Sequence, residues 1–211
     1  MIDFDHLVLW LSPRKVMGSY WPDLSRYANN GRIYSNVELK YGVIWFPGGA
    51  MDYIDCGNNV SLDCIDFQRT YTFEAWVYSY GINSNNAAIF AKAKGSNNRN
   101  GLTHKGTTLA FGYYDGSSWH GVSGTMPQKE WHFVAAVNDE GNLYLYIDGE
   151  PQTGTTTPYV ANPTQLLLGW SGLNQKNLFK GYLGLLLIYD VARTQKQIRI
   201  DAEFTSPYGT R

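Results

Sequence analysis

The chain has 211 residues, of which 44% are hydrophobic, 15% aromatic and 17% charged, and its formal net charge is −1. That balance leaves no basic excess for a phosphate backbone, so nucleic acid is not an expected partner. No apolar run approaches the ~20 residues of a spanning helix, so no membrane insertion is expected, and the length fits a single domain over residues 1–211 that can bury a core unaided.

The first six residues place Asp3 and Asp5 where an export signal needs positive charge. The expectation is a chain without a leader: cytoplasmic, excised from a longer protein, or carried out of the cell in a virion. Residues 7–11 read as a first strand and 23–31 as a polar loop. Residues 43–46 form a short strand closed by Pro47-Gly48-Gly49, and Tyr53-Ile54-Asp55 is another. Residues 71–80 give the first strong alternation. Phe73, Ala75 and Val77 share one face, and Thr72, Glu74, Trp76 and Tyr78 the other.

A strand over 87–93 follows, then a polar Gly/Asn-rich stretch, 95–106, read as a loop. Lys92, Lys94, Arg99 and Lys105 read as its solvated charges. Residues 107–114 and 118–123 form a hairpin around Asp115-Gly116, where glycine accepts positive φ at little cost. A second hairpin joins 130–138 to 142–148, and Asp148-Gly149 turns the chain into Glu150-Pro151-Gln152. Late strands occupy 165–169 and 181–189. The latter is almost continuously apolar, as a central strand covered on both faces would be. Thr194 with Gln197 forms a capping-box pattern, so one short helix is predicted after residue 194, packed across one end of the sandwich, with a frayed tail from residue 206. The recurrence of short alternating runs and turn signals points to an all-β, two-sheet antiparallel sandwich.

Five segments, in order, carry a family resemblance. They are Asp23-Leu24-Ser25-Arg26-Tyr27-Ala28-Asn29-Asn30-Gly31; Phe46 through Asp55; Tyr71-Thr72-Phe73-Glu74-Ala75-Trp76-Val77; Trp131 through Val137 with Leu143 through Gly149; and Phe179 through Gly184 with Ile188-Tyr189. Together they resemble the laminin-G-like branch of the concanavalin A-like lectin/glucanase jelly-roll family. The resemblance implies a jelly-roll sandwich with one short C-terminal helix. It implies no single function, because the fold serves lectins, adhesion modules, glycosidase appendages and viral surface proteins. In many members an aspartate that helps hold a structural calcium stands where this chain has Gly184. Calcium needs six to eight oxygens, and Asp23, Asn29 and Asn30 are the candidate metal ligands that remain.

The catalytic signals are sparse. The E-x-D-x-x-E run, which puts paired carboxylates on one strand face, does not occur. Glu74 stands alone with Trp76 at its next same-face position, and reads as a structural residue hydrogen-bonded between sheets. None of the four histidines, His6, His104, His120 and His132, accompanies a G-x-S-x-G elbow. His104 reads as a loop residue and His132 as a packed strand residue. Cys56 and Cys64, eight positions apart, could bridge only through a turn, and no CxxC or HExxH accompanies them; reduced thiols are the favoured reading.

Sugar recognition pairs aromatic rings with amide, carboxylate and hydroxyl groups. Tyr113, Tyr114 and Asp115 face Trp119 and His120 across the first hairpin; Trp170 lies near Asn174; Asn83 and Asn85 crowd one loop. These are the candidate ligand-binding residues, although aromatic rings also commonly fill sheet interiors. Tyr144 and Tyr146 alternate with Leu143, Leu145 and Ile147, and could line a sheet face or a homo-oligomer contact. The reading is a non-catalytic module for carbohydrate or a glycosylated surface. The alternatives are a structural protein of a virion or cell surface, and a divergent hydrolase with carboxylates from different strands.

Overall fold

A computed structural model describes residues 2–66, 69–81, 87–94, 98–114, 118–152, 164–172 and 178–205. In chain order its strands are β1 (Leu7–Leu11), β2 (Tyr20–Trp21), β3 (Gly31–Ile33), β4 (Glu38–Lys40), β5 (Val43–Phe46), β6 (Ile54–Asp55), β7 (Tyr71–Ser79), β8 (Ala87–Lys94), β9 (Asn98–Lys105), β10 (Thr108–Tyr114), β11 (Trp119–Thr125), β12 (Trp131–Asp139), β13 (Asn142–Ile147), β14 (Glu150–Gln152), β15 (Leu166–Leu168) and β16 (Gly181–Tyr189). A helix, α1 (Gln195–Phe204), follows.

The strands make two antiparallel sheets. Sheet I runs β14-β13-β12-β7-β16-β5-β4, and β1 pairs with the part of β16 that β5 leaves free. Sheet II runs β11-β10-β9-β8-β15-β6-β3-β2. The alternation in β7 decides which side faces the core: Phe73, Ala75 and Val77 join the main buried cluster, and Phe73 stacks on Phe90 of sheet II at 4.2 Å. β16 is covered on both faces, with Leu183, Leu186 and Ile188 in the core and Leu187 and Tyr189 buried on the other side. Cys56 and Cys64 are free, buried thiols. No described helix is long and apolar enough to cross a membrane.

Three expectations for residues 92–105 are corrected. Residues 98–105 are not loop but strand β9, paired along its length with β8 and β10. Its polar sequence hides this: among its described side chains Leu102 and His104 are the ones that face inward, and the flanking strands supply the backbone partners. Lys92 is accordingly not a solvated charge. It is 1% exposed, and its ammonium donates to the Leu62 carbonyl at 2.8 Å. His104 is likewise buried, with Nδ1 2.7 Å from Ser79 Oγ and Nε2 3.1 Å from the Met126 carbonyl.

The helix starts as predicted. Thr194 accepts from the Gln197 amide, and the Gln197 side chain accepts from the Thr194 amide at 2.8 Å. It does not lie across an end of the sandwich, however. It lies on the outer face of sheet I, where Ile198 is buried with Phe133, Ala135 and Val137, against the half-buried Trp76 and Tyr146. Glu74 therefore sits beneath α1 rather than between the sheets. Arg193 joins the layers: its guanidinium contacts Asp201 Oδ2 at 2.5 Å, lies 4.4 Å over the Tyr189 ring, and places Nε 3.8 Å from Glu74.

Candidate functional site

On sheet II, outward positions align in register across the strands. Tyr20 lies opposite Arg32, Arg32 opposite Asp55, and Asp55 opposite Leu167. Because Ile33 and Ile54 point inward, their neighbours Arg32, Tyr34, Tyr53 and Asp55 point outward. The Tyr34 and Tyr53 rings stack 4.6 Å apart at 14°, and the strands are tied there by the Tyr34 amide donating to the Tyr53 carbonyl at 2.9 Å. Trp170 extends the stack, 5.0 Å from Tyr53, and the Arg32 guanidinium closes its other end, 5.0 Å from the Tyr34 ring. Arg32 is exposed; Tyr34, Tyr53, Asp55 and Trp170 are half-buried. Burial, followed by the neighbouring Tyr34 and Asp55, raises the Tyr53 phenol above its usual pKa, so it is a neutral hydroxyl at physiological pH. The surface thus combines a three-ring apolar floor, phenol hydroxyls, a cation and a carboxylate.

Of the residues expected from sequence, Trp170 belongs to this surface. Trp119 does not: it is 37% exposed at the β11 edge, four strand spacings from β15, or about 19 Å at ~4.8 Å per strand. The predicted hairpin register holds, with Tyr113 opposite His120 and Tyr114 opposite Trp119. Tyr113 is nevertheless corrected as a ligand-facing residue. It is 3% exposed and stacks on His120 at 5.1 Å, because its parity on β10 matches the core residues Leu109 and Phe111. Between them, Gly112 must be glycine, since a Cβ there would lie 2.1 Å from the His120 carbonyl. Asn83, Asn85, Asp115 and Asn174 lie outside the described residues, as does the side chain of Tyr114.

The calcium expectation does not fit the residues present. Asp23 Oδ1 accepts from the Trp10 and Ser25 amides, and Oδ2 from Ser25 Oγ and the Asn29 amide, all at 2.7–2.8 Å. Asn29 Oδ1 accepts from Asn59 Nδ2 at 2.8 Å, and Asn30 Oδ1 from the Asp23 amide at 2.9 Å. These oxygens meet protein donors, so the segment is a hydrogen-bonded loop and not a cation cradle. At Gly184, an added Cβ would lie 2.8 Å from the Trp76 Cβ, so the tryptophan occupies the space an aspartate would need.

A second aromatic surface was not anticipated. Trp45 of β5 lies opposite Tyr182 of β16, Tyr182 opposite Tyr78 of β7, and Tyr78 opposite Trp131 of β12. This row crosses four adjacent strands on the outer face of sheet I, beside α1. Neighbouring rings lie 4.6–5.7 Å apart and are tilted by 40–76°. Tyr80 packs against three of them, and Lys40 and Lys180 lie over its margins. Each residue occupies an outward strand position, which is the only local signal that could have found it.

Fold and surfaces define a two-sheet jelly-roll sandwich of the lectin-like type. Residues 48–199 match the Laminin_G_3 family model, described as the concanavalin A-like lectin/glucanases superfamily, and the chain belongs to that family. A search of curated proteins found no match. Among solved structures, the chain is similar to the binding domain of Paraclostridial Mosquitocidal Protein 1 (TM-score 0.74, 16% identity, 95% of this chain and 52% of that one). It is also similar to the botulinum neurotoxin serotype D/C binding domain (0.74, 16%, 93% and 51%). A third is the Trypanosoma rangeli sialidase in complex with sialic acid (0.76, 16%, 98% and 34%). The chain spans about half of each toxin domain and a third of the sialidase, and at this identity the likeness is one of fold.

Proposed function

We propose that the protein is a non-catalytic recognition module for carbohydrate or a glycosylated surface. The observation that carries this reading is the outward stack of Tyr34, Tyr53 and Trp170 bracketed by Arg32 and Asp55. Aromatic faces pack on the apolar faces of sugar rings, and the flanking donors and acceptors match hydroxyls. The fold likeness to toxin binding domains supports a binding role. Glu74, the carboxylate nearest to a hydrolase motif, is 0% exposed beneath α1, which argues against its reaching a substrate. The test is a glycan array with the folded protein, followed by titration of Tyr53→Ala and Trp170→Ala. Each variant is expected to weaken binding at least tenfold with the fold intact; a blank array overturns the reading.

The aromatic row on sheet I favours a second reading, a structural or interaction protein whose partner covers that row. Tyr and Trp are the residues that anchor protein interfaces. A concentration-dependent oligomer by analytical ultracentrifugation, abolished by Tyr182→Ala with Trp131→Ala, would support it, and a monomer at all concentrations would count against self-association.

A further inference from the structure

Arg32 has a chemistry that a purely neutral sugar site does not need. Its guanidinium is exposed and held over the Tyr34 ring at 5.0 Å, yet among the described residues it makes no hydrogen bond or ion pair. The natural partner would be Asp55, directly opposite on β6. That carboxylate is instead engaged by its own turn, with Oδ1 accepting from the Gly57 amide at 2.8 Å. The stacked ring orients the planar donor fork while leaving its N–H edges unpaired. Arginine in that state selects oxyanions that present two neighbouring oxygens, because two parallel N–H···O bonds match carboxylate or sulfate geometry. The apolar floor beside it, Tyr34 to Tyr53 to Trp170, runs away from the guanidinium, so a ligand placing its anion on Arg32 would lay the rest of its body along the rings. Asp55, next to the floor, would accept hydroxyl protons.

We infer that this surface selects acidic saccharides, with the carboxylate or sulfate of one residue docked on Arg32 and the sugar ring on Tyr53 and Trp170. The inference rests on the saccharide-binding reading above and narrows it to a ligand class.

The experiment titrates the full chain with four probes of matched length: a uronate oligosaccharide, a sulfated oligosaccharide, a neutral oligosaccharide and a glutamate-rich peptide. Wild type is expected to bind one or both acidic saccharides at least tenfold more tightly than the neutral one and the peptide. Whether the uronate or the sulfated probe binds identifies the anion. Arg32→Ala should remove that preference, bringing the acidic probes to the affinity of the neutral one, while leaving thermal stability unchanged, since Arg32 is exposed and makes no hydrogen bond or ion pair among the described residues. Arg32→Lys should recover part of it, because lysine keeps the charge but not the fork. Equal affinity for acidic and neutral saccharides, or an acidic preference that survives Arg32→Ala, overturns the inference and leaves the saccharide reading standing. Peptide binding equal to that of the acidic saccharides overturns the saccharide assignment. Binding of no probe overturns both.

Discussion

Replacing Arg193 with methionine tests how α1 is fastened to sheet I. Arg193 is 3% exposed and Asp201 is fully buried, and their contact is 2.5 Å. Without the guanidinium, the Asp201 carboxylate keeps the Tyr189 hydroxyl, which donates at 2.9 Å, and loses its cation. Removing one partner of a buried ion pair leaves an uncompensated charge and costs about 3–5 kcal/mol. The same interior arrangement predicts that the second substitution Asp201→Asn, made on top of Arg193→Met, recovers part of the loss, because the stranded charge disappears. Urea unfolding followed by tryptophan fluorescence suits the question. Trp76 donates through Nε1 to Thr205 Oγ1 at 3.1 Å at the helix end, so it reports undocking of α1. A cost below about 1 kcal/mol for Arg193→Met, or a double variant no more stable than the single one, would refute the account of a charge-clamped helix.

Glu74 is held neutral by burial and by the neighbouring Asp201, which raise its pKa well above the usual carboxyl value. The folded state keeps this proton above pH ~4.3, where the unfolded chain releases it, so its contribution is complete below that pH and declines as pH rises. Glu74→Gln should therefore flatten the stability–pH slope above pH ~4.3, and an unchanged slope in pH-dependent melts would contradict the assignment. His132 acts with the same sign in a higher pH window: its hydrogen bond to Asp148 at 2.7 Å raises its pKa, so its contribution is complete below pH ~6.5 and is lost as pH rises through the raised value. His132→Gln should lose stability mainly on the acid side, and an equal loss at pH 5 and pH 9 would disprove the linkage. Gly184→Asp should destabilise by about 1–3 kcal/mol through overpacking against Trp76, without conferring calcium binding. A calcium-dependent rise in the variant's Tm would show the site was lacking only its carboxylate. Asp23→Ala should cost about 2–3 kcal/mol, since it strips four donors of their acceptor. A calcium-dependent Tm in wild type that vanishes in this variant would reverse our account of the loop.

Local pattern was enough to identify much of this protein. The two-residue period of 71–80 put Phe73 and Trp76 on opposite faces before any partner strand was known, and the Thr194–Gln197 capping box marked the helix start to the residue. Such signals live within one element, because side-chain parity and cap geometry depend only on the chain's own backbone. Trp170 was legible as a candidate for the same reason, as an aromatic beside turn residues. Tertiary structure alone decided what lay beside what. Residues 32, 34, 53 and 170 meet because β3, β6 and β15 are neighbours in sheet II, and residues 45, 78, 131 and 182 form one row because β5, β16, β7 and β12 pair in that order and register. The polar strand β9, the buried Lys92 and the carboxyl of Glu74 beneath α1 were misread for a related reason. Their burial is imposed by elements distant in sequence, and strand order and register are set by the packing of the whole sandwich, which no single segment encodes.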